Sequence, residues 1–150
     1  MAQEVVAPNQ YPAKGFKVYI AGAIDMGDAE NWQHEVILQF AHEESIILLN
    51  PRREKFTDAM EQAQIKWELE AMENADLILM WFPEKSEAPI SFLEMGLYLR
   101  SGKLVLGVEK GFYRQKNIEL TAYRYNTSVY YSLDALVREV KNRIIRHQSL

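Results

Sequence analysis

The chain has 150 residues, 48% hydrophobic and 25% charged, which suits one soluble domain with one core and excludes a disordered segment. It has no cysteine, so disulfides, thiolate metal sites and a thiol nucleophile are excluded. A net charge of -4 without a basic face argues against a dedicated nucleic-acid binder. No apolar run reaches membrane-spanning length and no basic-then-apolar segment opens the chain, so a cytoplasmic protein without a membrane partner is expected.

Residues 1–15 carry Pro8, Asn9, Pro12 and Gly15 with little periodicity and read as a loose leader. "FKVYIAG" is a first strand ending at a glycine, and Asp28 is placed to cap a helix from Ala29 to about His42. "SIILLNP" is a second strand, continuous rather than alternating in its apolar residues, as expected of a parallel sheet buried on both faces. A long helix is predicted from Asp58 to Asn74, with Ile65, Leu69 and Met72 as its core stripe and Trp67 pointing away to a second packing surface. Then come the strand "DLILMWF", a helix over "PISFLEMGLYLRSGK", and a fourth strand "KLVLGVE". Residues 110–126 read as a polar, tyrosine-rich loop with a short helix, "SVYY" as a fifth strand, and Leu133 to His147 as a closing amphipathic helix. Strands alternating with helices at this spacing predict a single doubly wound α/β domain.

In such sheets ligands lie beyond the carboxyl ends of the strands, here the loops Gly22–Glu30, Pro51–Thr57, Pro83–Ser91 and Glu109–Asn126. Glu94 follows one of these loops, in a helix apolar almost all the way round, where a carboxylate is costly unless something uses it. Helix-terminal amides favour its ionised form, which suits a nucleophile. Glu68 falls at the edge of the preceding helix's apolar stripe, either as a partner acid to Glu94 or as a solvated side chain.

"VYIAGAI", "WELEAMENAD" and "FLEMGLYLRSGK" resemble the nucleoside 2-deoxyribosyltransferase family, and "NWQHEV", "NPRRE" and "GFYRQKNIEL" extend the likeness to its deoxyribosyltransferase-like branch over roughly residues 17 to 120. The resemblance implies a flavodoxin- or Rossmann-like five-stranded parallel sheet over residues 16–150. It also implies cleavage of the bond between a nucleobase and deoxyribose, with a nucleoside or nucleotide as the partner molecule. The glutamate of the family's "E-x-G" falls on Glu94, which would attack the anomeric carbon and form a glycosyl-enzyme. The first-strand tyrosine that holds it falls on Tyr19, and the proton-donor acid, usually aspartate, falls on Glu68. An oxocarbenium-like transition state asks for this division, with Glu94 expected low in pKa and Glu68 raised by burial.

The chain also departs from the family pattern. Members acting on 5′-monophosphates carry an arginine in the first loop and a serine six residues before the nucleophile. Here the loop is "GAIDMGD", whose acids repel phosphate, and the serine position is Ala88, where transferases carry an aspartate. Ser86 or Glu87 is placed to substitute, and Arg52 and Arg53 are either fork donors to a phosphate or solvated loop residues. With Gly22, Asp25, Ser91 and Tyr123 these make up the expected substrate contacts; Tyr123 belongs to a tyrosine-rich stretch suited to base stacking or to completing a neighbour's site. The apolar Glu94 helix and Trp67 point to a homodimer or higher homo-oligomer.

His34, His42 and His147 lack metal-ligand spacing, and Asp25, Asp28 and Glu30 lack that of a calcium loop, so no metal is expected. Gly22 and Gly27 make no dinucleotide or phosphate-loop fingerprint, so no cofactor is expected either. Three readings stand: a glycosyl-bond enzyme delivering sugar to a second base or to water, with a 5′-monophosphate glycosidase as its variant; a non-catalytic nucleotide-binding module; and a protein whose Glu94 helix is purely an oligomer interface.

Overall fold

The computed structural model describes residues 2–25, 29–53 and 57–149. The expected cap Asp28, and Gly27 beside it, lie outside the described residues. Among the described residues the elements run β1 (Gln3–Val6), β2 (Phe16–Gly22), α1 (Trp32–Gln39), β3 (Ile46–Asn50), α2 (Glu61–Asn74, entered through a 3-10 turn at Asp58–Met60), β4 (Leu77–Phe82), α3 (Pro89–Tyr98), β5 (Leu104–Val108), α4 (Gln115–Arg124), β6 (Val129–Tyr130) and α5 (Leu133–Gln148). All strand pairings are parallel, in the order β1-β3-β2-β4-β5-β6. The last five strands have the doubly wound order expected from the sequence, and the sheet has six strands rather than five.

The sixth strand comes from the leader, which is not loose. β1 pairs with β3 from Gln3↔Ile47 to Val6↔Asn50, and Asn50 donates its side-chain amide to Glu4 at 2.9 Å. Trp67 holds the rest of the segment: its indole N–H donates to the Asn9 carbonyl at 2.9 Å, and its ring meets Tyr11 edge-on. Trp67 thus packs inside its own chain, against the leader and Tyr19, and not on an outer surface. The predicted stripe of α2 is rotated accordingly. Gln64, Trp67, Ala71 and Met72 face the sheet, while Ile65 and Leu69 face outward. The periodicity was right and its phase was wrong, because an indole seated on the leader takes the inner position.

β2, β3, β4 and β5 are buried almost throughout, the expected consequence of cover on both faces. Tyr19, Ala21, Leu49, Ile78, Met80 and Leu106 form one core with α2, α3 and α4. Val18, Ile20, Leu48, Leu79 and Val105 form the other with α1 and α5. The strand order reverses between β2 and β4, and in doubly wound sheets the carboxyl ends of such neighbours are where a ligand crevice is expected.

At that crevice Gly22 has φ +139°, and a Cβ on it would meet the Trp81 carbonyl oxygen at 2.2 Å and the Trp32 ring at 2.5 Å. Its lack of a side chain serves this packing, which lets the β4 backbone at Trp81 and the Trp32 indole approach the loop. Gly22→Ala is expected to destabilise the protein by about 3 kcal/mol, the sum of backbone strain and overpacking, read as a lower urea midpoint with an unchanged slope.

Candidate active site

Three residues singled out in the sequence converge beneath the crevice. Tyr19 is in the middle of β2, fully buried and facing α2 and α3. Glu68 is half-buried on α2, and Glu94 on α3 is 6% exposed. On α3 the inward residues are Ser91, Glu94 and Met95, one helical turn apart. The outward face carries Ile90, Leu93 and Leu97 at 59%, 60% and 56% exposure. The helix that reads as buried all round therefore has an exposed apolar face, and its carboxylate is on the buried one.

The fields of the converging groups overlap. Burial pushes the Glu94 carboxyl up to about 8, and the Glu68 charge adds to the rise. Burial also raises Glu68, while the Gln64 side chain and the Arg53 charge draw it down. Tyr19 is raised by burial and then by Glu94 and Glu68, and its buried hydroxyl has no hydrogen-bond partner in the structure. Tyr98 is raised by burial, then by Glu73 and Glu94. The expected low pKa of Glu94 is therefore reversed. Glu94 is the sixth residue of α3, beyond the first turn where helix amides act strongly, so desolvation and a like charge dominate.

The remaining expected contacts are more dispersed. Asp25 accepts backbone N–H bonds from Glu87 and Ala88 across the crevice. Ser86 is buried and donates to the Pro83 carbonyl at 2.7 Å, so its hydroxyl closes its own loop. Ser91 is buried on the inner face of α3, one turn before Glu94. Arg52 donates to the carbonyls of Ala29 and Glu30 at 2.5 and 2.8 Å and to the Gln33 side chain at 3.1 Å, tying the loop after β3 to the β2 loop and α1. Arg53 donates to the Met60 sulfur at 3.4 Å and acts on Glu68 through its charge. Tyr123 is on the outer face of α4, 81% exposed. Asp76 accepts from the Lys17 N–H at 2.8 Å, at the opposite end of the sheet from the crevice. No three His, Asp or Glu side chains among the described residues are arranged to hold a metal ion.

Two further residues belong to the site. Gln64, one turn before Glu68, is buried and fixed by a 2.7 Å bond from its amide to the Pro51 carbonyl, which leaves its own oxygen buried without a partner. Its i, i+4 spacing to Glu68 was the available signal. Tyr98 shares the field of Glu94 from one turn further along α3, also at i, i+4.

A carboxyl raised to about 8 in the fold and near 4.5 when unfolded binds its proton more tightly in the native state. Its stabilising effect is complete below pH 4.5 and is lost as pH rises to about 8. Glu94→Gln, which cannot ionise, is therefore expected to melt progressively higher than wild type from pH 5 to 8. The gap should level off above that and reach roughly 5 °C or more; thermal melts across pH measure it.

A family model described as nucleoside 2-deoxyribosyltransferase like matches residues 15–112, which run from β2 through the loop after β5 and include Tyr19, Glu68 and Glu94. A search of curated proteins gives no match. With about two thirds of its length matched, the chain belongs to the nucleoside 2-deoxyribosyltransferase-like family.

Proposed function

We propose that the protein cleaves the N-glycosidic bond of nucleosides through a covalent intermediate on Glu94. The observation that carries this reading is the coupling of buried Glu94 with half-buried Glu68 next to the partnerless Tyr19 hydroxyl. An unsatisfied buried hydroxyl costs about 1–3 kcal/mol, which a structural role alone does not return. A Glu94 carboxylate turned toward a bound sugar gives that hydroxyl an acceptor.

The chemistry runs in two displacements. A Glu94 carboxylate oxygen bonds to the anomeric carbon as the bond to the base nitrogen breaks; the bond electrons leave with the base, which takes the Glu68 proton. An acceptor base or water then attacks the anomeric carbon, gives its proton to the Glu68 carboxylate, and releases Glu94. The reactive pair holds one proton in all, on Glu68. In the empty site that proton favours Glu94, since Arg53 and Gln64 draw Glu68 toward ionisation. Substrate binding that brings a basic ring nitrogen to Glu68 and a developing cation to Glu94 reverses the preference. The raised Glu94 also favours a second reading, a nucleotide-binding module that keeps the fold and holds its ligand intact.

The exposed apolar residues of α2 and α3, Ile65, Leu69, Ile90, Leu93 and Leu97, lie on helices of one sheet face and support a homo-oligomer. Leu93→Glu with Leu97→Glu is expected to convert the assembly to monomer in sedimentation velocity; a wild-type monomer at micromolar concentration would refute it.

Turnover is tested by incubating deoxynucleosides with and without an acceptor base and measuring free base and exchanged nucleoside. Glu94→Gln is expected to lose at least 1,000-fold, and Glu68→Gln between about 100- and 10,000-fold. The wild-type rate should fall at alkaline pH as the pair loses its last proton, near 8 in the empty site. Mass spectrometry of acid-quenched enzyme should find the sugar on Glu94. Tight binding of intact nucleotide with no release by wild type selects the binding module.

A further inference from the structure

The chain's net charge of -4 is unevenly shared. Residues 100–125 hold six lysines and arginines against two glutamates, a local charge of +4, which leaves -8 on the remainder. Lys103 is turned inward on the carbonyls of Met72, Glu73 and Ala75, where it closes the end of α2. The other five cations, Arg100, Lys110, Arg114, Lys116 and Arg124, are exposed. None of them is in an ion pair among the described residues, and three stand over tyrosine rings. Arg100 is 4.4 Å from the centre of Tyr125, Lys110 5.6 Å from that of Tyr131, and Arg114 5.7 Å from that of Tyr113. Glu119, the acid of α4, is half-buried and taken up by Tyr131 and Gln115.

α4 gathers these groups on one face. Its inner positions, Ile118 and Ala122, go to the core. The opposite side carries Lys116, Leu120, Tyr123 and Arg124, at the spacing of successive turns. Tyr113 and Arg114 stand before its first turn, and Arg100 joins its last by donating to the Tyr125 hydroxyl at 2.8 Å. Tyr123 is the most exposed large apolar side chain among the described residues, and Leu120 is next. The helix has 10 residues, about 15 Å, which is the length of about four nucleotides stacked at roughly 3.4 Å each.

A ligand that matches this face is a polyanion, to meet five cations without ion pairs, and offers flat rings to Tyr113 and Tyr123. Duplex nucleic acid has the charge but hides the faces of its bases. An anionic lipid surface has the charge and no rings. A single strand has both. We propose that the α4 face binds single-stranded nucleic acid, DNA or RNA, with bases stacked on Tyr113 and Tyr123 and phosphates held by Arg114, Lys116 and Arg124. The Tyr113 hydroxyl donates to the Glu87 carbonyl, so the upper end of this face adjoins the loop before α3. The proposal does not depend on the chemistry of Glu94.

The test is fluorescence anisotropy of the full chain with short labelled oligo-dT and oligo-U. Saturable binding is expected, stronger than to a duplex or to polyglutamate of equal charge. Its association constant should fall with salt at a log–log slope of about -2, the value for three phosphates on a single strand. Tyr123→Ala is expected to weaken binding at least fivefold and keep that slope. Arg114→Gln with Arg124→Gln is expected to cut the slope to about a third. These side chains are exposed, and thermal melts check that the variants fold. No saturable binding by wild type, equal affinity for duplex or polyglutamate, or a Tyr123→Ala variant that binds as wild type overturns the proposal. Displacement of the strand by anionic phospholipid vesicles, with polyglutamate ineffective, assigns the face to a membrane surface instead. Glu94→Gln is expected to bind the strand as wild type does; loss of binding in that variant places the strand in the crevice and overturns the assignment to α4.

Discussion

Placing Glu94 and Glu68 beside each other in a desolvated space means that one of them must keep a proton at neutral pH, and much of the structure follows from that constraint. Two carboxylates in low dielectric repel each other strongly and lose their hydration. The fold manages this unequally: Arg53 and Gln64 lean on Glu68, while Glu94 is left with apolar neighbours, Ser91 and a tyrosine hydroxyl. The pair is therefore a store of one proton with two addresses. Whichever molecule enters the crevice can move that proton by offering a cation to one address and a base to the other, without a large shift of the backbone.

Burial of this kind needs a rigid enclosure, and the parallel sheet supplies it. Tyr19 sits in β2 with neighbours on both sides, paired to Leu49 of β3 and Ile78 of β4, so its ring cannot swing. Trp67 packs against it from α2 and is itself anchored on the leader through Asn9. The β1 strand is thus more than an edge addition. It completes a chain of contacts from the leader through Trp67 to Tyr19, beside Glu94. Changes in residues 3–11 should be felt at the site through this route, although none of those residues reaches it.

The sequence showed the strands clearly because four of them are continuous apolar runs, and it showed Glu94 because a lone acid among apolar residues contradicts its surroundings. What it hid has physical reasons. β1 carries a single fully buried valine flanked by polar and half-buried residues, too little pattern to separate from coil. The phase of α2 was ambiguous because Ile65 and Leu69 are as apolar as Trp67 and Met72, and only the leader's position decides which pair turns inward. The raised pKa of Glu94 is not legible in sequence, where a helix N-terminus is visible and the packing that desolvates the sixth residue is not. Gln64 is not legible as a site residue because its orphaned oxygen exists only once its amide is fixed on Pro51.

The mouth of the crevice is built almost entirely from contacts the chain makes with itself. Besides Asp25 on the Glu87 and Ala88 amides, Ser86 closes on Pro83, Glu109 accepts the Glu84 N–H at 2.7 Å, Tyr113 donates to the Glu87 carbonyl at 3.0 Å, and Arg52 gathers the carbonyls before α1. Each of these groups would otherwise be available to a ligand. Using them internally fixes the loops in advance, so little ordering cost remains at binding. It also moves recognition away from the rim: among the described residues the Tyr19 hydroxyl and the Gln64 oxygen are buried without a partner and stand beside the two carboxyls. In the chemistry proposed for Glu94 charge would develop beside these groups, and interactions placed there raise turnover rather than tighten ground-state binding.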